Sequence, residues 1–263
     1  MLRRLQRWLF GQADRPAVTE EQWARVEAGL PFLAYLPADA RSRLRTLALE
    51  FLDQKTFHGA HDLVLTDDIL LSIALQACLP IYHTGLDAYR QWVGVVVYAG
   101  DFVIPREEMD EDGVVHEYDE PVLGEAWPDG PVVVSWQPQQ RTDGLNVVIH
   151  EFAHKLDMCN GQADGFPPLP ADMRRADWAR IFTAAYDDFC HRVDHDLPHA
   201  IDAYAAENPA EFFAVMSEAF FEVPLRLRAA YPAAYAQLKR LYGLDPAAGA
   251  NPHPTHDSNP QEH

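Results

Sequence analysis

The sequence has few cysteines and few basic residues, and it lacks a long apolar run. Its three cysteines lie far apart and form no CxxC pair, which argues against a disulfide framework or a cysteine zinc knuckle. The 21 Lys and Arg stand against 40 Asp and Glu, giving a formal net charge of −19, so direct nucleic-acid binding is not expected. No stretch approaches the roughly 20 apolar residues of a membrane span. These absences predict a cytoplasmic protein with reduced thiols.

The sequence does contain enough apolar residues, 48% of 263, for a sizeable core. We predict one domain over residues 19–243, with a two-lobed unit around a cleft as the alternative. Residues 1–18 form a short amphipathic segment that carries no recognisable motif. Residues 244–263 are rich in Pro, Asn and His and are predicted to be a disordered tail.

The hydrophobic pattern changes twice along this domain. "TEEQW", "ARSRLRTLALEFLD" and "TDDILLSIALQACLP" have helical spacing. "WVGVVVYAGDFVIP", "GVVHEYDEPVLGEAW" and "GPVVVSWQP" are typical of strands joined by turns. Helices are then predicted at about 145–159, 172–191, 209–222 and 225–241. This order indicates a mainly helical α+β fold with a small sheet.

The stretch "VVIHEFAHKLDMCNG", residues 147–161, contains two histidines four residues apart. On a helix His150 and His154 point the same way, so their imidazoles can share one zinc ion. Glu151 can then face the attacking water without binding the ion, which is the chemistry of the H-E-x-x-H motif. The alternative is two surface or hydrogen-bonded histidines beside an ordinary glutamate.

The surroundings of the motif favour a helix with one buried face. Thr142 or Asp143 is the predicted N-cap, and Gly161 lies just past the expected end. The apolar positions recur at spacings of three and four and form one stripe: Leu145, Val148, Ile149, Phe152 and Leu156. The strand predicted at "GPVVVSW" could hold an extended peptide beside this helix.

A catalytic zinc ion normally has three protein ligands and one open position. The metzincin continuation is excluded, because Asp157 and Asn160 occupy the places of its Gly and His. The other common arrangement takes a glutamate from a later helix, and "DAYAAENPAEFFAVMSEAFFE" supplies several. We choose Glu211, with Glu207 and Glu218 as alternatives.

A structural role for Glu211 fits its position equally well. Asn208 is a good N-cap, Pro209 a good first helical residue, and Glu211 falls at the capping-box position. Spacing alone therefore leaves the third ligand open.

Several separated motifs resemble the Mlc titration factor A family: "TDDILLSIALQACLP", "VVVSWQ", "HEFAH" and "YAAENPAEFFAVMSEAFFEVP". They occur in the family's order, and the resemblance covers roughly residues 15–245. It implies a bacterial cytosolic zinc metallopeptidase of the gluzincin group, with a zincin-like domain whose small mixed β-sheet lies beside the HExxH helix. The implied zinc ligands are His150, His154 and Glu211, and the implied catalytic base is Glu151.

The same resemblance implies further features of the site and its partners. Tyr204, seven residues before Glu211, matches an oxyanion-stabilising tyrosine in the similar catalytic core of anthrax lethal factor. The expected activity is aminopeptidase-like hydrolysis of short peptides. The expected protein partner is the repressor Mlc, which controls glucose phosphotransferase genes. The alternative is an interaction protein that mainly sequesters this repressor and has weak or gated hydrolysis.

Two other groups of residues have possible roles near such a site. Asp157 could orient a ligand imidazole or could be an ordinary aspartate on the helix surface. His191, His195 and His199 follow one another at four-residue steps. They are predicted to form a polar helix end and loop and not a second metal site, because Pro198 interrupts the helix.

Overall fold

The computed structural model describes residues 17–100, 102–109, 115–122, 124–127, 130–136 and 144–249. Most of the predicted N-terminal segment and residues 250–263 of the predicted tail lie outside this range. No helix in the described part of the chain combines the length and the apolar character needed to cross a membrane.

The N-terminal helices follow the predicted pattern, and side chains cap two of them. They are α1 (Glu20–Ala28), α2 (Ala38–Gln54) and α3 (Asp67–Ala77). The Thr19 side chain accepts a hydrogen bond from the Gln22 amide, and Thr66 does the same for Ile69. Helix α3 is buried from Leu70 onward, as expected for a helix that is apolar on most of its surface.

The strands form a small mixed sheet and a separate hairpin. They are β1 (Thr56–Gly59), β2 (Gly94–Ala99), β3 (Phe102–Met109), β4 (Val115–Val122), β5 (Gly124–Ala126) and β6 (Val132–Trp136). The sheet has the order β1-β2-β6-β5, in which β1, β2 and β6 are parallel and β5 is antiparallel to β6. Strands β3 and β4 pair with each other. The α+β fold with a small sheet is therefore confirmed.

Helices occupy the rest of the described chain: α4 (Val147–Asp157), α5 (Arg175–Asp194), α6 (Pro209–Glu222), α7 (Pro224–Ala230), α8 (Pro232–Tyr242) and α9 (Pro246–Gly249). The single helix expected at 225–241 is in fact two. Proline cannot continue a helix because it lacks the amide donor and clashes with the preceding turn, so Pro232 starts α8 as its first residue. At the start of the predicted tail, Leu244 and Ala247 are buried.

Helix α4 lies at the centre of the molecule. It packs against β5 and β6 on one side and against α3 and α6 on others. Phe152 in α4 contacts Phe51, Tyr89 and Trp92 through edge-on or tilted ring pairs, and the Tyr89 hydroxyl donates a hydrogen bond to the Phe152 carbonyl. These contacts fix α4 between the sheet and α6. The side chains of α4 that point away from this aromatic cluster therefore start from a well-defined backbone position.

Candidate metal centre

The start of α4 differs from the prediction. The N-cap is Asn146, whose side chain accepts a hydrogen bond from the Ile149 amide at 3.0 Å; Thr142 and Asp143 lie outside the described residues. Gly144, two residues before this cap, has a φ of 101°, a conformation that glycine adopts readily. Leu145 therefore precedes the helix. The apolar stripe began two residues before the helix, and this misplaced the predicted cap.

The two motif histidines and Glu211 meet at one point. The Nε2 atoms of His150 and His154 are 3.1 Å apart. The Oε2 atom of Glu211 lies 2.9 Å from His150 Nε2 and 3.2 Å from His154 Nε2. Among the described residues this is the one group of three or more His, Cys, Asp or Glu side chains placed to hold a metal ion.

Glu211 does not act as a capping-box partner. The Asn208 side chain caps α6 by accepting hydrogen bonds from the amides of Ala210 and Glu211, while the Glu211 carboxylate points to the imidazoles. Burial opposes ionisation of this carboxylate, but the hydrogen bonds with His150 and His154 prevail and hold its pKa well below the ordinary value.

The two alternative glutamates occupy different places. Glu207 is exposed. Glu218 is buried, and its Oε1 lies 2.8 Å from Nδ1 of His150, the ring nitrogen that faces away from His154. Its Oε2 accepts a hydrogen bond from the Asn146 amide. Glu218 therefore fixes the orientation of the His150 ring and connects the start of α4 to α6.

The His150 ring experiences opposing electrostatic effects. Burial lowers its pKa, whereas hydrogen bonds with Glu211 and Glu218 raise it, and the result is a pKa well above the ordinary value. The two carboxylates therefore favour the protonated ring, whereas a metal ion binds imidazole only in its neutral form, so a proton and a metal ion compete for His150.

Glu151 is almost completely buried, with 4% of its surface exposed. Burial raises the pKa of its carboxyl to about 7, which is suited to proton transfer near neutral pH. Strand β5 covers it at Gly124, where an added Cβ would lie 2.3 Å from Glu151 Oε1. A glycine inside a strand often marks such a close approach. The glycine in "LGEAW" was the signal in the sequence that could have identified this contact.

Tyr204 lies beside the histidines on a more open side. It belongs to a short 3₁₀ helix, Ala203–Ala206, that the Asp202 side chain caps. Its ring centroid is 6.1 Å from that of His150, and 52% of the residue is exposed. The structure thus brings Tyr204 together with the histidine pair.

Asp157 is buried, so the interpretation as an ordinary surface aspartate was wrong. Its Oδ2 accepts a hydrogen bond from the Gly165 amide at 2.7 Å, and burial raises its pKa to about 6. Neither Asp157 Oδ1 nor His154 Nδ1 has a hydrogen-bond partner within the described residues. Asp157 therefore anchors the loop after α4.

The other histidine cluster is exposed and bonds to the backbone. The ring centroids of His191 and His195 are 4.2 Å apart. The Nδ1 atoms of His195 and His199 pair with the carbonyls of His191 and Ile201. These contacts agree with a polar helix end.

Comparison with known proteins agrees with this geometry. Residues 2–243 match the family described as glucose-regulated metallo-peptidase M90. Relatives named Mlc titration factor A include one from Pectobacterium atrosepticum, 34% identical over 92% of this chain and 93% of its own. Another, from Serratia proteamaculans, is 36% identical over 92% of this chain and 94% of its own length. An uncharacterised protein of Synechocystis sp. is 36% identical over 82% of this chain and 81% of its own length. The family resemblance drawn from the motifs is confirmed.

Proposed function

The chain belongs to the glucose-regulated metallopeptidases of family M90, and we propose that it is a zinc-dependent, zincin-like peptidase whose ion is held by His150, His154 and Glu211. We also propose that residues 19–243 form its single catalytic domain. Membership of a metallopeptidase family implies a metal ion.

The observation that carries the proposal is the convergence of three donor atoms, separated by 2.9, 3.1 and 3.2 Å. Tetrahedral zinc with bonds of about 2.0–2.1 Å requires donors roughly 3.3 Å apart. A donor set of two imidazole nitrogens and one carboxylate oxygen suits zinc and leaves the fourth position open. The residues present therefore fit the ion.

When bound, zinc supplies Lewis acidity that lowers the pKa of a water molecule and polarises the scissile carbonyl. Glu151 takes the proton as the water attacks and later delivers it to the leaving amine. Its burial beside Gly124 supports this role, because burial raises the pKa of a carboxyl group towards neutral pH. Tyr204 donates a hydrogen bond to the carbonyl oxygen as negative charge develops there.

Aminopeptidase-like action on short substrates is the activity we propose. The carboxylates of Glu151, Glu211 and Glu218 lie close together around the histidines, in a chain with a net charge of −19. A bound zinc ion would offset two of these three negative charges, and the remaining carboxylate together with the charge of the chain attracts a free α-ammonium group. A substrate with a free amino terminus therefore fits the charge of the site better than an acidic one does.

We also propose that the chain binds an Mlc-like repressor in the cytoplasm. Its support is the name of the relatives, Mlc titration factor A, and the three free cysteines agree with a reducing compartment. A protein whose main role is repressor sequestration, with weak or gated hydrolysis, is the second candidate. If repressor binding persists after zinc removal, the surface that binds the repressor is separate from the catalytic site.

Metal dependence tests the catalytic proposal. Purified protein is expected to contain about one zinc per chain and to hydrolyse amino-acid anilides. A chelator should abolish hydrolysis, and zinc, but not magnesium, should restore it, because magnesium prefers oxygen ligands. The control is the chelated protein after dialysis, whose circular dichroism shows whether the fold survives. Hydrolysis that continues at an unchanged rate with no metal in the sample would overturn the proposal.

A further inference from the structure

We propose that Lys155 is a positioning residue, whose ammonium group holds strand β5 at a fixed distance from Glu151. This inference rests on the proposed function, in which Glu151 is the base and β5 borders the reacting groups. It concerns a lysine that lies within the "HEFAHKLD" run and that takes no part in metal binding or proton transfer.

The Lys155 side chain is buried and directed to the end of β5. Only 2% of the residue is exposed. Its Nζ donates hydrogen bonds to the carbonyl of Trp127, the residue directly after β5, and to that of Gly130 at 2.9 Å. It also lies 4.9 Å from the centre of the Trp92 ring. A buried ammonium group is tolerated only with such partners, so the side chain is confined to this position.

Lys155 and Glu151 act on the same strand from the same face of α4. Residues four apart on a helix lie one turn from each other on one side, about 6 Å along the axis. Glu151 meets β5 at Gly124, its first residue, and Lys155 meets Trp127 just past the last. Three residues of strand span roughly 10 Å. These two contacts, one near each end, fix both the position and the tilt of β5.

Within the described residues, strand pairing gives β5 little support. The strand has three residues, and its register with β6 consists of three pairs: Gly124 with Val134, Glu125 with Val133, and Ala126 with Val132. It lies at the end of the strand order. Short edge strands open easily. The hydrogen bonds from the buried Lys155 ammonium group therefore contribute a large part of what holds β5 in place.

Lys55 provides a matched control. It is also buried, its Nζ donates hydrogen bonds to the carbonyls of Tyr89 and Trp92, and it lies 4.0 Å from the centre of the same Trp92 ring. Its partners precede β2 and do not include residues of β5. Replacing either lysine removes a buried ammonium group that donates hydrogen bonds to backbone carbonyls, but only the replacement of Lys155 releases β5.

The experiment compares Lys155→Met with Lys55→Met in the full-length, zinc-loaded protein. Both variants should lower Tm, because each removes a buried ammonium group and leaves two backbone carbonyls without that donor. Hydrogen exchange followed by mass spectrometry should show at least about tenfold faster exchange of the β5 amides in Lys155→Met only. For amino-acid anilides, Lys155→Met should raise KM by about tenfold, with the zinc content unchanged.

The exchange measurement does not depend on activity, so it decides the inference even if the protein hydrolyses no peptide. Equal acceleration of β5 exchange in both variants, or none in Lys155→Met, would overturn the positioning role. Should Lys155→Met fail to fold, Lys155→Gln, which retains an N–H donor on a shorter side chain, takes its place with Lys55→Gln as control.

Discussion

The two sides of the candidate site are built with very different amounts of support. On the α6 side, Glu211 and Glu218 approach opposite nitrogens of His150, and Glu218 also accepts a hydrogen bond from the Asn146 amide. On the β5 side, a three-residue strand is held by its pairing with β6 and by Lys155. Ion binding needs donors fixed to within about half an ångström, whereas substrate must enter and leave. Rigidity is therefore concentrated where a metal would be held.

The largest expected effect comes from the α6 side. Glu211→Ala removes one of the three converging donors, so zinc affinity should fall by more than about 100-fold, since even the outer hydrogen-bond partners of a ligand contribute 10–100-fold. Hydrolysis should fall with it. Zinc affinity is measured by competition with a chromogenic chelator, and hydrolysis with an anilide substrate.

Glu207→Ala is the matched control, because Glu207 is exposed and lies four residues earlier in the same segment. It should retain wild-type zinc affinity and activity. If both variants lost zinc affinity equally, or if only Glu207→Ala lost it, the assignment of Glu211 as the third ligand would be wrong. The contrast between the α6 side and the β5 side would then not hold.

A smaller effect is expected on the β5 side. In Gly124→Ala the new Cβ would lie 2.3 Å from Oε1 and 2.5 Å from Cγ of Glu151, so either the strand or the carboxylate must move. A displacement of about 1 Å at a reacting group can lower the rate by roughly 100-fold. We expect kcat/KM to fall by about 10- to 100-fold while zinc content stays normal, as measured by steady-state kinetics and metal analysis.

Gly94→Ala in β2 is the corresponding control, because its Cβ would meet the Pro131 side chain at 3.1 Å and not Glu151. Its kinetics should remain close to wild type. If Gly124→Ala lost zinc as severely as Glu211→Ala does, the two sides would be equally coupled to the ion, and the distinction between them would not hold.

The sequence predicted the parts of the site that depend on local spacing. Helix geometry relates the spacing of residues along the chain to the direction of their side chains. The four-residue step between His150 and His154 therefore predicted that both point the same way, and the apolar stripe that includes Phe152 placed α4 against the core. The order of motifs along the chain was enough to identify the family.

The remaining features depend on contacts between distant segments. Glu211 and Glu218 are two helical turns apart on similar sides of α6, so spacing could not show that one meets Nε2 and the other Nδ1 of His150. Asn146 was overlooked as the cap because the apolar stripe begins before it. The contacts of Gly124 and Lys155 join α4 to a strand and turn more than 20 residues earlier, and no periodicity encodes them.

The most direct test of the central claim is the zinc content and hydrolytic rate of Glu151→Gln, measured on the same preparation. The amide keeps the size of the side chain but cannot accept the proton as a carboxylate does. The variant should bind as much zinc as the wild type and lose hydrolysis by at least about 100-fold, the usual contribution of a general base. A zinc-loaded Glu151→Gln protein that cleaves anilides at a rate close to wild type would contradict it.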